Sequence, residues 1–398
     1  MTLLSDDQQY IMKTYHRLPL HIVFAQGSDL IDENGYRYLD FFSGIAVNGL
    51  GYNEALVDCM KAQADSFVHL SNYFVCESAV NLAKLLVNHS FASQVFYTNT
   101  GTEANEAAIK LCRKVGRQKA ADKVEILSAY RGFHGRTMGS LSLTPQAKYQ
   151  APFGPLLPHV NHFQYNDSAD FLEKVSHQTC AVFLEIIQGE GGVVTLDSDF
   201  LKTVLEARQQ YDFLLVIDEI QTGLGRSGKL FSFEHYDVTP DIVTIAKSLG
   251  GGIPLGAMLV SKSYRNAFLQ GEHGSTFAPN PVACAGGVYL MQQLTQTLLL
   301  QEVSRKSEWL MHQLRQLQMK YQPIIKEVRG CGLMIGLEVG AFASDIKERA
   351  LTHRLLLNVT SVTIIRLLPP LTIKDEELQR FVHLFERILQ EVSDDFIS

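Results

Sequence analysis

A lysine set between a buried strand and a run of glycines is an odd home for a solvated charge. Lys247 follows the apolar run Ile242–Ile245 and precedes Ser248-Leu-Gly-Gly-Gly252. Twenty-nine residues earlier, the run Phe213-Leu-Leu-Val-Ile217 ends in Asp218-Glu-Ile-Gln221. In open α/β sheets ligands sit beyond the carboxyl ends of the strands, so both segments are placed for chemistry. A carboxylate at Asp218 or Glu219 could bind a metal, act as a base or pair with a cationic nitrogen. The plainer alternatives are a helix cap or surface ion pair for the acids and an exposed loop for the lysine. A third segment, Gly101-Thr102-Glu103, opens an amphipathic helix just after the run Gln94–Tyr97. Free backbone N–H groups and the positive end of the helix dipole make that position an anion site, and Thr102 could equally cap its own helix.

Two other patterns fail on context. Gly223-x-Gly225-x-x-Gly228 matches a dinucleotide fingerprint, and Gly223 to Lys229 comes close to a phosphate-binding P-loop. The first should turn directly from strand to helix, yet Asp218–Thr222 intervene and Lys229-Leu-Phe-Ser-Phe233 reads as extended chain. The second needs Ser or Thr after Lys229, where Leu230 stands. A nucleotide-binding protein using Gly223–Lys229 is therefore the outside alternative. The 13 histidines show no H-E-x-x-H or similar metal spacing, and no metal is expected.

The elements that must position these residues read as α/β. Candidate strands are Gln94–Tyr97, Val124–Ser128, Ala181–Ile187, Phe213–Ile217, Ile242–Ile245 and Gly256–Val260. Between the first two, Ala104, Ala107, Ala108, Leu111, Cys112 and Val115 follow helical spacing. Strands alternating with helices predict a mostly parallel sheet covered on both faces. Asn34-Gly35 predicts a tight turn with positive φ at both residues. A terminal helix is expected with Leu378, Phe381, Val382, Phe385 and Leu389 on one face. A chain of 398 residues predicts more than one core. We expect a large domain over 46–285 and a smaller α+β domain over 286–398, with residues 1–45 packing against the smaller one. Net charge is −7 with no basic run, which argues against nucleic acid or an anionic membrane as partner. Six scattered cysteines without a C-x-x-C pair, and an acidic start at Met1–Asp7 unlike a signal peptide, predict a cytoplasmic protein with free thiols.

Taken together the segments resemble the class III aminotransferases, fold-type-I enzymes that use pyridoxal 5'-phosphate. The resemblance is carried by Asp218-Glu-Ile-Gln-Thr-Gly223 followed by Lys247 in Ala-Lys-Ser-Leu-Gly-Gly-Gly. Asn99–Glu106, Phe133-His-Gly-Arg-Thr137, Gln188-Gly-Glu-Gly-Gly192, Gly274-Ser-Thr-Phe277 and Arg366-Leu-Leu-Pro-Pro370 carry it further, across nearly the whole chain. Within the class, Tyr38–Asn48, His69–Asn72 and Leu357–Thr360 are most similar to the bacterial acetylornithine aminotransferase family. Ala278-Pro279 and Ile187 depart from that family's usual residues.

The resemblance implies roles. Lys247 would hold the cofactor's aldehyde and then shuttle a proton, which suits a lysine of lowered pKa. Asp218 would pair with the ring nitrogen, Gln221 would bond near the phenolic oxygen, and Phe133 would stack on the ring. Gly101 and Thr102 would bind the phosphate, joined by Thr276 of the other subunit in a homodimer with shared active sites. Arg136 would take the carboxylate of N-acetylornithine and the distal carboxylate of glutamate or 2-oxoglutarate. Arg366 would take the α-carboxylate of glutamate, with Glu190 neutralising it otherwise, and Ser275 would contact the acetylated substrate. Gly44 stands where ornithine aminotransferases carry a tyrosine, which argues against ornithine. Succinylornithine and 4-aminobutyrate are the related alternatives.

Overall fold

A computed structural model describes residues 3–397; Met1 and Thr2 of the acidic start, and Ser398, lie outside the described residues. Seven strands form the central sheet in the order Gln94–Thr98, Gly256–Val260, Ile242–Ile245, Leu214–Asp218, Thr179–Leu184, Glu125–Ala129, Val160–Phe163. Only Gly256–Val260 runs antiparallel to its neighbours, so the sheet is mostly parallel as its alternation with helices requires. The apolar run predicted as Ala181–Ile187 divides: the sheet strand ends at Leu184, and Ile187–Gln188 pairs separately with Val194–Thr195. Val160–Phe163, which alternates too weakly to read from sequence, forms one edge.

Two smaller sheets flank this core. In one, Ile22–Gln26, Asp29–Asp32 and Arg37–Asp40 are joined in parallel by Leu355–Leu356, so the beginning and the last third of the chain share backbone hydrogen bonds. The other is antiparallel, in the order Glu327–Cys331, Met334–Glu338, Ile364–Leu367, Asn358–Thr360. The turn at residues 33–36 differs from expectation. Only Gly35 has positive φ, at 81°, because Asp32 Oδ1 accepts from the N–H of both Asn34 and Tyr36 and organises a longer loop. No helix among the described residues is long and apolar enough to cross a membrane.

The helix Gly101–Lys119 begins at a full capping box: Thr100 is the cap and the Glu103 side chain bonds back. Thr102 is therefore a first-turn residue and not the cap. All six apolar positions predicted for its inner face, Ala104 to Val115, are buried against the sheet. Close approach of that helix to the sheet depends on Gly116. A Cβ there would lie 2.2 Å from the Lys123 carbonyl oxygen and 2.6 Å from Cys180 Cβ. Backbone and strand cannot yield cheaply, so Gly116→Ala is expected to destabilise the protein by about 1–3 kcal/mol despite alanine's better helix propensity. Urea unfolding followed by circular dichroism checks this; an unchanged midpoint would show that the helix can move off the sheet.

Candidate active site

Three strands of the central sheet deliver the site at their carboxyl ends. Leu214–Asp218 ends in Asp218, Ile242–Ile245 leads through Ala246 to Lys247, and the loop after Glu125–Ala129 carries Phe133 to Arg136. With the start of the helix Gly101–Lys119, they enclose a cavity of about 430 Å3 lined by Asn99, Gly101, Thr102, Phe133, Arg136, Glu185, Asp218, Gln221 and Lys247, among others. Two segments far apart in sequence, Asp218–Gln221 and Gly101-Thr102, thus meet around one lysine.

Lys247 is held in a left-handed backbone conformation, φ 51°, on a short 3-10 turn. Such a conformation costs a non-glycine residue roughly 1–2 kcal/mol, and it persists here because the turn is packed against the N-terminal segment. Gly49 lets the N-terminal segment lie against Ser248, where a Cβ would come within 2.9 Å. Burial lowers the Lys247 pKa from its ordinary 10.5 to about 8, and the nearby Arg366 guanidinium adds to that effect.

Asp218, 4% exposed, is bound from behind. Its Oδ2 receives bonds from Asn105 Nδ2 and His134 Nδ1, both at 2.8 Å, while Oδ1 accepts the Ile220 N–H at 3.0 Å. Thr244 in turn donates to Asn105. Burial disfavours the His134 cation, but the bond to Asp218 outweighs this and the net shift is upward. Neither His134 nor Asn105 was expected from the sequence, although both lie inside quoted motifs. Their signal was a buried polar type on a helix or loop facing Asp218, invisible without the fold. Glu219 turns away: it accepts from Ser232, Thr222 and the Phe233 N–H, and so is a structural residue of the following loop. Glu185, also unexpected, lines the cavity with its carboxyl pushed up to about 8 by burial.

Buried Arg366 pairs with the partly buried Glu190 beside this cavity, Nη1 to Oε1 at 2.6 Å. The same nitrogen donates to Gln221 Oε1 at 3.1 Å, and Asn358 Oδ1 takes the other edge of the guanidinium. Burial alone would raise the Glu190 carboxyl, but Arg366 holds it below the usual range. Arg136 instead opens on the cavity with its guanidinium against the Tyr149 ring.

Three predicted site residues lie apart from Lys247. Ser275 and Thr276 line a neighbouring cavity of about 360 Å3, connected through Asn99, whose Nδ2 donates to Ser275 Oγ at 3.0 Å. Gly44 sits in a left-handed turn with Ser43, Ile45 and Ala46, fastened by Asp40 Oδ1 to the N–H groups of Phe42 and Ser43. A Cβ at Gly44 would meet only ordinary contacts with Val47 and Asn48, and Val47 lines the main cavity. The Gly223–Lys229 segment is no phosphate cradle. Gly225 packs on Leu294 and Gly228 on Ser304, and buried Arg226 donates to the Leu333 and Pro369 carbonyls.

The family model for "Aminotransferase class-III" matches residues 10–389. The chain belongs to the class III aminotransferases. Among curated relatives of this aminotransferase, the acetylornithine aminotransferase of Caldanaerobacter subterraneus subsp. tengcongensis is 42% identical, covering 98% of this chain and all of that one. The solved N-acetylornithine aminotransferase of Stenotrophomonas maltophilia K279a is 33% identical with a TM-score of 0.84, covering 99% and 100% of the two chains. An ornithine aminotransferase from Toxoplasma gondii, solved with partial occupancy of PLP at its active site, is 29% identical with a TM-score of 0.94 over 99% and 95%. The fold is that of the fold-type-I transferases, and the cofactor of this aminotransferase is pyridoxal phosphate.

The residues present fit that cofactor. The cavity offers a primary amine, a buried carboxylate, an aromatic face and the first-turn N–H groups of Gly101 and Thr102, which have no acceptor inside their own helix. A folded-state pKa near 8, below the unfolded 10.5, means that Lys247 is charged and poorly nucleophilic below about pH 8. The buried ammonium then lowers stability in full below pH 8, and this cost fades as pH rises from 8 to 10.5. Capture of pyridoxal phosphate by the apoprotein should therefore accelerate as pH rises through about 8 and then level off. Stopped-flow absorbance checks this; a rate flat across pH 8 would contradict the shift.

Proposed function

We propose that this aminotransferase moves the terminal amino group of N-acetylornithine reversibly to 2-oxoglutarate, giving N-acetylglutamate semialdehyde and glutamate, as in arginine biosynthesis. The observation that carries the reading is the unequal state of two guanidiniums: Arg366 is neutralised by Glu190, while Arg136 is open to the cavity. Such a pair suits an enzyme that alternately accepts an amine with one carboxylate and a dicarboxylate. The names and coverage of the acetylornithine relatives point the same way.

Bound pyridoxal phosphate supplies an aldehyde that takes the amine and a protonated ring that draws electrons from the reacting carbon. Lys247 is the residue that would hold that aldehyde, and its amine, when free, would carry the proton from the amino-bearing carbon of the substrate. Asp218, held by His134 and Asn105, keeps the ring nitrogen protonated. Phe133 would cover the ring, Gln221 would bond its oxygen, and Gly101 with Thr102 would bind the phosphate. Arg136 takes the substrate carboxylate. Glu190 masks Arg366 while N-acetylornithine reacts and releases it for the α-carboxylate of glutamate.

The site is completed by a second subunit in this reading. Val68, Tyr73, Phe74, Val75 and Phe277 are largely exposed apolar residues around Asn72, which donates to the carbonyls of Ser275 and Ala278. A homodimer covering that face would bring Thr276 to the partner's phosphate and Ser275 to the acetylated substrate. We further read residues 46–285 as the cofactor-binding domain and 286–398, with 1–45, as the smaller domain. Cytoplasmic residence is supported by six free cysteines.

Steady-state assays with 2-oxoglutarate test the substrate. N-acetylornithine should exceed ornithine and 4-aminobutyrate in kcat/KM by at least about tenfold, ~1.4 kcal/mol of transition-state discrimination. Equal or better use of ornithine or 4-aminobutyrate, or a clear preference for succinylornithine, would move the reading to that amine. In Glu190→Ala, glutamate should react at least as well as in the wild type, while N-acetylornithine loses about tenfold or more because its carboxylate is captured by unmasked Arg366. Single-turnover rates for each half-reaction check this; equal losses would refute the gate.

A further inference from the structure

An arginine that must take a carboxylate in both half-reactions faces a conflict. An acidic neighbour would fix its orientation but cancel its charge, as Glu190 does for Arg366. Among the described residues Arg136 has no ion-pair partner, and its guanidinium carbon instead lies 3.9 Å from the centre of the Tyr149 ring. The same guanidinium is 5.7 Å from the Phe133 ring, and the two rings meet edge to face, 6.0 Å apart at 80°. Tyr149 is itself fixed. Its short helix, Ala147–Gln150, is fastened by Gln146 to the Gly132 carbonyl at 3.1 Å and by Gln150 to the Leu141 carbonyl at 3.0 Å.

We propose that Tyr149 is a positioning and specificity residue for the carboxylate of the substrate: its π face orients Arg136 without neutralising it. This rests on Arg136 being the carboxylate-binding residue. A ring face attracts a cation through its quadrupole and occupies none of the guanidinium's N–H edges, so all of them stay available for a bidentate carboxylate. Arg136 is thereby ready at every stage of the cycle, whereas Arg366 alternates between Glu190 and substrate. The phenolic oxygen has no part in this arrangement, because the attraction belongs to the ring. Lys148 places its ammonium 4.6 Å from the same ring, adding a second cation beside it.

The test compares Tyr149→Phe, Tyr149→Leu, Arg136→Met and the double variant Tyr149→Leu/Arg136→Met as holoenzymes. KM is measured for N-acetylornithine and for 2-oxoglutarate, with the dissociation constant of glutarate, an unreactive dicarboxylate, by calorimetry. Tyr149→Leu should raise both KM values and the glutarate constant by about tenfold, with kcat and melting temperature changed far less. Tyr149→Phe should restore them to within about twofold, and Tyr149→Leu should add nothing in the Arg136→Met background. If Tyr149→Leu lowers melting temperature and kcat but leaves KM and glutarate binding intact, its role is structural and the proposal is overturned. A Tyr149→Phe variant as impaired as Tyr149→Leu would likewise overturn it. If Arg136→Met itself leaves KM and glutarate binding unchanged, the Arg136 reading fails and takes this proposal with it; a defect in Arg136→Met alone isolates the failure to Tyr149.

Discussion

Burying an amine that must be able to lose its proton is the constraint on which the rest of this structure turns. Lys247 sits at the end of a sheet strand, where the cavity walls strip much of the water from its ammonium, and a buried guanidinium nearby adds to the penalty. Uncompensated, so many buried charges would cost more than a domain's marginal stability can absorb. The compensation is local and asymmetric. Glu190 pairs with Arg366, Asp218 collects three donors, and Glu185 is driven toward its neutral form by the same burial. What remains is a cavity in which one amine can titrate near neutrality while its carboxylate neighbour stays hydrogen-bonded.

The backbone shows the same constraint. A left-handed φ at Lys247 is tolerated because Ser248 is wedged by the segment that ends in Gly49, and that segment is tied to the far end of the chain. The Phe41 carbonyl accepts from Leu368, two residues beyond Arg366, and the Gly49 carbonyl accepts from Leu371. The lysine and the masked arginine are thus set by one continuous set of main-chain contacts. Buried Arg226 strengthens it by donating from the Gly223–Gly228 turn to the Pro369 carbonyl.

Much of the large sheet was legible because strand-length apolar runs bounded by glycine and acidic residues have few other interpretations, and Ile242–Ile245 and Gly256–Val260 match residue for residue. Lys247 and Asp218 stood out for the same reason, as ionisable residues at the ends of such runs. The edge strand Val160–Phe163 escaped because a short half-exposed strand carries little periodicity. Thr102 was weighed as a cap when Thr100 holds that place, since two threonines in one turn cannot be separated without the Glu103 bond that decides between them. His134, Asn105, Asn358 and Tyr149 stayed hidden for a deeper reason. His134 and Asn105 act on an aspartate far away in sequence, while Asn358 and Tyr149 reach arginines nearer in the chain only through a strand pairing and a loop that the fold defines.

The central claim is that this cavity uses one lysine and one bound cofactor to pass an amino group from N-acetylornithine to 2-oxoglutarate. It is tested most directly by visible spectra of the purified holoprotein as each substrate is added alone. The account predicts that N-acetylornithine, without an acceptor, abolishes the resting cofactor band in proportion to the sites present. Subsequent addition of 2-oxoglutarate then restores it. A band unmoved by N-acetylornithine, or shifted equally well by ornithine at the same concentration, would contradict it.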